Sequence, residues 1–298
     1  MGKAQAVGIA VVEQETGLSK DSLRIWERRY GFPKPLRDAR GERRYPADQV
    51  EKLRLIRRLM DAGHRPGSIM DASVEQLRRL RGAQRAPGTA HAPNPEVDAL
   101  LRLVEGRDIA ALRARLRWHL LRQGMHDFVM HLLPALNQAV GEAWATGRIT
   151  VAEEHLYTEQ VERTLRLAIG EINVPSRPPR VLLTTLPGEE HGLGLLMLEA
   201  ALAVELAECF PLGIQTPASN IVTAAVAAKV DVVALSFSSG FPRRSAIEAL
   251  GGLRAALPKA IQVWAGGEGV AGLRRPPEGI IAPMSLADAV GRARAWRR

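Results

Sequence analysis

Leu182-Leu-Thr-Thr-Leu-Pro-Gly-Glu-Glu-His-Gly-Leu-Gly194 is the stretch that decides the fold. An apolar run ends at Leu186, a Pro-Gly break follows, and His191, Gly192 and Gly194 lead into the apolar-rich segment Leu195–Leu206. A buried strand, a tight loop and a helix start, in that order, predict the first unit of a parallel α/β sheet. Ligands of such sheets sit outside the carboxyl ends of the strands, which puts His191 where chemistry takes place.

Downstream the alternation continues. Arg177-Pro-Pro-Arg180 marks the entry to the domain, read as residues 175–298. Leu212–Gln215 reads as a second strand, and Thr216-Pro217 starts a helix that runs to Lys229. Val230–Phe237 is nearly all apolar, as a strand buried on both faces must be. A helix over 243–256, strands at Ile261–Ala265 and near Ile280, and a helix from Ser285 complete a Rossmann-like parallel α/β domain.

Upstream, four amphipathic segments at about 96–105, 108–122, 125–146 and 150–173 predict a four-helix bundle over residues 96–174. Ile109, Leu112, Leu116 and Leu120 form one stripe, and Val129, Leu132, Leu133, Leu136 and Val140 another. Thr150-Val-Ala-Glu153 is a capping box at the start of the last helix. Its inward face collects Val151, His155, Thr158, Glu162, Leu165 and Ile169. Polar residues on such a stripe need partners, because an unpaired carboxylate in an apolar core costs several kcal/mol. Residues 82–95, Gly- and Pro-rich without apolar periodicity, read as a flexible linker.

Charge is concentrated at the other end. The chain has 298 residues and a net charge of +9. Residues 1–85 hold 19 Lys+Arg against 11 Asp+Glu, a net +8, and the remainder a net +1. This points to a polyanion-binding module, residues 1–81, joined to a neutral body. Gly17-Leu18-Ser19 makes a turn, and Ser19 caps a helix whose Leu23, Trp26 and Tyr30 share one face. Lys20, Ser22, Arg24 and Arg28 occupy the opposite face. A helix, a glycine turn and a capped basic helix form the helix-turn-helix arrangement. Phe32–Tyr45, held extended by Pro33 and Pro35, forms a wing. Arg43, Arg44 and Tyr45 complete the candidate DNA contacts. Pro46 suits the first turn of a third helix, and a fourth follows His64-Arg-Pro-Gly67 with Ile69, Val74, Leu77 and Leu80.

The composition excludes several classes. Hydrophobic residues make up 46% of the chain, enough for real cores. No apolar run reaches the roughly 18 residues of a membrane span, and no signal peptide precedes the first helix. The only cysteine, Cys209, excludes an internal disulfide framework and a cysteine-based zinc site. A cytoplasmic, non-membrane protein is expected.

Three resemblances join these parts. LSKDSLRIWERRYGFPKPLRDARGERRYPADQVEKLRLI follows the winged helix-turn-helix of the MerR family, with Pro46 where that family carries a Ser or Thr cap. Glu189-Glu-His-Gly-Leu-Gly194 resembles the Asp-x-His-x-x-Gly signature of cobalamin-binding domains, with Glu189 in the Asp position. Trp144, then nine residues, then Glu154-His155, resembles the helical cap of CarH/LitR-type regulators. The resemblance implies a MerR-family regulator with a carboxy-terminal cobalamin module: His191 as axial cobalt ligand, Glu189 steadying it, and Trp144, Glu154 and His155 at the adenosyl group. It also implies Gly194, Ser236, Ser238, Gly266 and Gly267 along the nucleotide tail.

The expected cofactor is therefore cobalamin, in its adenosyl form. The expected partners are double-stranded promoter DNA and further copies of the chain, as dimer or tetramer. In light-sensing relatives a histidine follows the tryptophan; here the position is Ala145. Two rival readings stay open. One is a MerR-type regulator with a degenerate pocket; the other is a corrinoid enzyme module, against which stand the DNA-binding head and the lack of a substrate domain.

Overall fold

A computed structural model describes residues 6–61, 64, 66–83, 94–238, 240–273 and 275–296. The chain forms two compact units, residues 1–112 with 135–159, and residues 113–134 with 160–298.

The first unit opens with β1 (Val7–Gly8), α1 (Ile9–Thr16), α2 (Lys20–Tyr30), β2 (Leu36–Arg37), β3 (Arg43–Tyr45) and α3 (Ala47–Asp61). Gly17 ends α1 in the left-handed region at φ 68°, where a glycine has no Cβ to clash. Ser19 then starts α2, its hydroxyl accepting from the Ser22 N–H at 3.1 Å. The three strands form an antiparallel sheet in the order β1-β3-β2, which is the expected wing. Leu23 and Trp26 meet Val12, Leu18, Leu53 and Ile56 in the core of the head. Pro46 stands just ahead of α3, and its carbonyl accepts from Gln49 and Val50.

The fourth helix of the head divides in two, α4 (Pro66–Ile69) and α5 (Val74–Ala83). Ser73 accounts for the break. Its hydroxyl accepts from the Gln76 N–H, and the Gln76 side chain accepts from the Ser73 N–H, so a new cap forms inside the expected helix. Of the linker, residues 84–93 lie outside the described residues.

The helical stretch comprises α6 (Pro95–Glu105), α7 (Ile109–Asp127), a π-helical segment (Phe128–Leu132), α8 (Leu133–Ala145) and α9 (Val151–Gly170). α7 breaks at Gly124, with φ 78° and ψ 163°, close to the expected boundary between two helices. The inward face of α9 needs correcting. The buried residues are Glu153, Tyr157, Gln160, Val161, Thr164 and Leu165, whereas the His155 side chain is 73% exposed. Each buried polar group has a partner: Glu153 pairs with Arg107, Gln160 accepts from Arg113 at 2.9 Å, and Thr164 donates to the Gln160 carbonyl. Those partners, invisible to periodicity, set the phase of the helix.

The second unit continues with β4 (Arg177–Thr184), α10 (Leu193–Val204), β5 (Ala207–Gly213), α11 (Ala218–Ala227), β6 (Val232–Ser236), α12 (Arg243–Ala256), β7 (Gln262–Gly266), β8 (Ile280–Met284) and α13 (Leu286–Ala295). All neighbouring strands are parallel, in the order β5-β4-β6-β7-β8. Alternate side chains feed two cores. Leu182, Val233 and Leu235 go to one, and Val181, Leu183, Val232 and Ala234 to the other. The runs Val181–Leu183 of β4 and Val232–Leu235 of β6 are thereby buried whole, as a sheet covered on both faces requires.

The second strand is corrected. It runs over Ala207–Gly213, five residues ahead of the expected start, and contains Pro211. A proline cannot donate to a ladder, and β5 is an edge strand, where that donor is not needed.

Candidate functional site

In a parallel sheet of this strand order, the chain reverses its winding direction between the first strand and the third, leaving a crevice at their carboxyl ends. Here those strands are β4 and β6. The loop after β4 carries Glu189 and His191, and β6 is followed by Phe237 and Ser238.

The loop is held from beneath by hydroxyls. Thr185, fully buried, donates to the Glu189 carbonyl at 2.7 Å and accepts from the Gln215 N–H at 2.8 Å. Thr184 bonds the Thr216 hydroxyl at 2.8 Å and the Gly213 carbonyl at 2.9 Å. These rungs tie the end of β4 to the segment after β5. Thr184, Thr185, Gln215 and Thr216 were not among the expected site residues. The signal that could have found them is the pair of polar residues ending an otherwise apolar strand.

Glu189 is 1% exposed, and its carboxylate is fully used. Oε1 accepts from the His191 N–H at 3.0 Å and meets His191 Nδ1 at 2.7 Å, while Oε2 accepts from the Ser238 N–H at 2.6 Å. Burial pushes this carboxyl up, but the hydrogen bonds from His191 and Ser238 outweigh it and hold the group below the usual carboxylate range. One side chain thus bridges the crevice from the β4 loop to the end of β6. The extra methylene of Glu relative to Asp suggests a looser geometry; three hydrogen bonds make it a tight one.

The His191 side chain is 63% exposed. With Nδ1–H donating to the carboxylate, the lone pair of the neutral ring lies on Nε2. A neutral imidazole fixed in this tautomer is the donor that a cobalt corrin requires, so the residues present fit the cofactor.

The glycines expected along a nucleotide tail have partners of their own. A Cβ on Gly194 would stand 2.9 Å from the Ser236 hydroxyl. One on Gly266 would meet the Met284 carbonyl at 2.5 Å, and one on Gly267, at φ 94°, the Phe237 carbonyl at 2.2 Å. Backbone approach within the domain already demands glycine at both of the last two positions.

In the first unit, Trp144 is buried at 7% exposure near the end of α8. Glu154 is half-buried, accepts from the Thr158 hydroxyl at 3.0 Å and lies 3.6 Å from His155.

On the head, Arg24, Arg28 and Arg43 line a shallow concavity together with Asp21, Ile25 and Glu27. The basic groups are held by neighbouring acids. Lys20 pairs with Glu13 at 3.3 Å, Arg24 with Asp21 at 3.4 Å, Arg43 with Glu27 at 2.7 Å and Arg44 with Asp38 at 2.9 Å. Ser22 shares a hydrogen bond with Ser19. Tyr45, expected on the DNA surface, is instead fully buried in the core of the head.

Comparison with known proteins follows these parts. Residues 8–73 match the family described as MerR HTH family regulatory protein, and residues 97–168 match the B12 binding domain family. Over 237 residues the chain is 30% identical to the HTH-type transcriptional repressor CarA of Myxococcus xanthus, covering 77% of this chain and 75% of that one. The chain belongs to the CarA family of HTH-type regulators. Its likeness to a second member, the HTH-type transcriptional repressor CarH of Myxococcus xanthus, is 27% over 269 residues, covering 87% of this chain and 88% of that one. The monomethylamine corrinoid protein of Methanosarcina barkeri shares the fold, with a TM-score of 0.56 at 16% identity over 66% of this chain and 96% of that one. This chain joins a MerR-type DNA-binding head to a B12-binding module. Among the described residues, no helix is long and apolar enough to cross a membrane.

Proposed function

We propose that the protein is a transcriptional repressor whose hold on promoter DNA is controlled by adenosylcobalamin and by light. The observation that carries this reading is the Glu189 carboxylate, which fixes the tautomer of His191 at the sheet's crevice in a chain that also bears a DNA-binding head. His191 would hold the cobalt of the cofactor, and Glu189 would be its positioning partner. Ser236, Ser238 and Gly194 border the same crevice. Trp144, Glu154 and His155 are assigned to the adenosyl group. When bound, adenosylcobalamin supplies a photolabile carbon–cobalt bond. Arg24 and Arg28 read the groove, and Arg43 and Arg44 hold phosphates. DNA binding is by a homo-oligomer, because linking several heads raises their effective concentration on one promoter.

With Ala145 in place of the histidine of light-sensing relatives, illumination leaves no second histidine at that position, and the change in assembly is weaker or more reversible. The test is absorbance and size-exclusion chromatography of protein incubated with adenosylcobalamin, in the dark and after green light. A colourless protein overturns the cofactor assignment. An elution volume unchanged after complete photolysis overturns the light response alone. His191→Ala should give the spectrum of cobalamin carrying water or its own base; a spectrum matching the parent's would remove His191 as ligand.

A further inference from the structure

We propose that Arg54 is the positioning residue through which the cap governs the DNA-binding head, an inference that rests on Trp144 sensing the cofactor. Arg54 lies on α3, its side chain 14% exposed, and its Nη2 donates to Glu15 of α1 at 2.5 Å. Its Nη1 fills the space beside Gly147, where a Cβ would stand 2.2 Å away. Gly147, at φ 76°, lies in the turn between α8 and α9 and belongs to the same compact unit as the head.

That turn is stapled to the tryptophan. The Gly147 N–H donates to the Trp144 carbonyl at 3.0 Å, and the Arg148 N–H to the Ala143 carbonyl at 2.8 Å. On the far side, α1 also carries Glu13, which accepts from the Lys20 N–H at 3.0 Å and pairs with the Lys20 ammonium at the start of α2. Contacts therefore run from Trp144 through Gly147 and Arg54 to Glu15, and the backbone of α1 carries the path on to Glu13 and the first turn of α2.

The residue types fit this role. A guanidinium presents donors along two edges, so one can hold a carboxylate while the other lies against a backbone; an ammonium serves only the carboxylate. Gly147 is required twice, by its left-handed backbone and by the guanidinium against it. Among the described residues, the buried Nε of Arg54 has no hydrogen-bond partner. Such a group costs stability, and its retention needs a reason other than stability.

The experiment measures operator affinity of the full chain with and without adenosylcobalamin, for the parent, Arg54→Lys, Arg54→Ala and Gly147→Ala. Cobalamin absorbance in each verifies loading. In parallel, hydrogen exchange of residues 9–30 is followed with and without the cofactor. The parent's affinity ratio should fall in the roughly 5–150-fold range of allosteric couplings. In the variants it should drop to within about twofold of unity, with the cofactor-induced change in exchange lost. Arg54→Lys keeps the ion pair to Glu15, so a purely structural role predicts the parent's ratio for that variant. Should Arg54→Ala fail to fold, Arg54→Lys and Gly147→Ala decide. Loaded variants that keep the parent's ratio overturn the inference alone. A loaded parent whose affinity ignores cobalamin overturns the proposed function, and this inference with it.

Discussion

Two carboxylate–nitrogen pairs of the same 2.7 Å length sit in opposite surroundings, Arg43–Glu27 in the head and His191–Glu189 in the cofactor domain. Both partners of the first are about a quarter exposed, at 27% and 26%. In the second, the carboxylate is 1% exposed and also accepts a backbone N–H from another strand end. A pair that still reaches solvent contributes less to stability than a buried one, and its arginine can be passed to a phosphate at smaller cost. A buried carboxylate that loses its partners is left uncompensated. The head's charges are arranged to be exchanged, and those of the cofactor domain to be kept.

The sharpest way to break that comparison is Glu189→Ala. It leaves the Ser238 N–H without its acceptor and removes the carboxylate from His191 Nδ1, and we expect a loss of about 3 kcal/mol in the unfolding free energy of the cofactor-free protein. Denaturant unfolding followed by far-UV circular dichroism reads it; a loss below about 1 kcal/mol would put the two pairs in one class. Glu189→Gln keeps the size and one acceptor, so cobalamin affinity should fall on the order of 10- to 100-fold, measured by absorbance titration.

Acid provides a subtler probe. The Glu189 carboxyl lies below its ordinary range when folded, so its contribution is complete above that range. It is lost as pH falls through the folded value. Acid unfolding of the parent should therefore be steeper than that of Glu189→Gln below the ordinary carboxylate range; coincident curves would rule this out. The smallest effect on folding belongs to the head. Replacing Arg43 and Arg44 by Ala should change stability by about 1 kcal/mol or less. The same double variant should weaken operator binding across sequences and flatten its salt slope by about 0.9 for each phosphate no longer neutralised. Unchanged binding would remove both arginines from the interface.

The parts legible in the sequence were those encoded by neighbours. Ser19, Gly17 and the Leu23–Trp26 spacing specify the recognition helix within a dozen residues, and Glu189-x-His191 sits in one loop. What escaped depended on distant partners. The phase of α9 is fixed by Arg107 and Arg113, more than 40 residues away from Glu153 and Gln160. The early start of β5 is tolerated because Pro211 lies on a strand with a free edge. The tie between Glu189 and Ser238 spans 49 residues and was absent from any local pattern. The burial of Tyr45 likewise needed the head's core, which gathers Val12 and Leu53 from separate helices.

The bridge made by Glu189 also ties the length of one side chain to the path of its loop. An aspartate at this position would keep the charge and shorten the side chain by one methylene. The carboxylate would then retreat by one carbon–carbon bond, about 1.5 Å. It could satisfy the histidine two residues along or the N–H at the end of the neighbouring strand, but from the present backbone it could not satisfy both. The length of the glutamate and the path of the loop are thus matched, and an aspartate would serve both partners only if the loop moved with it.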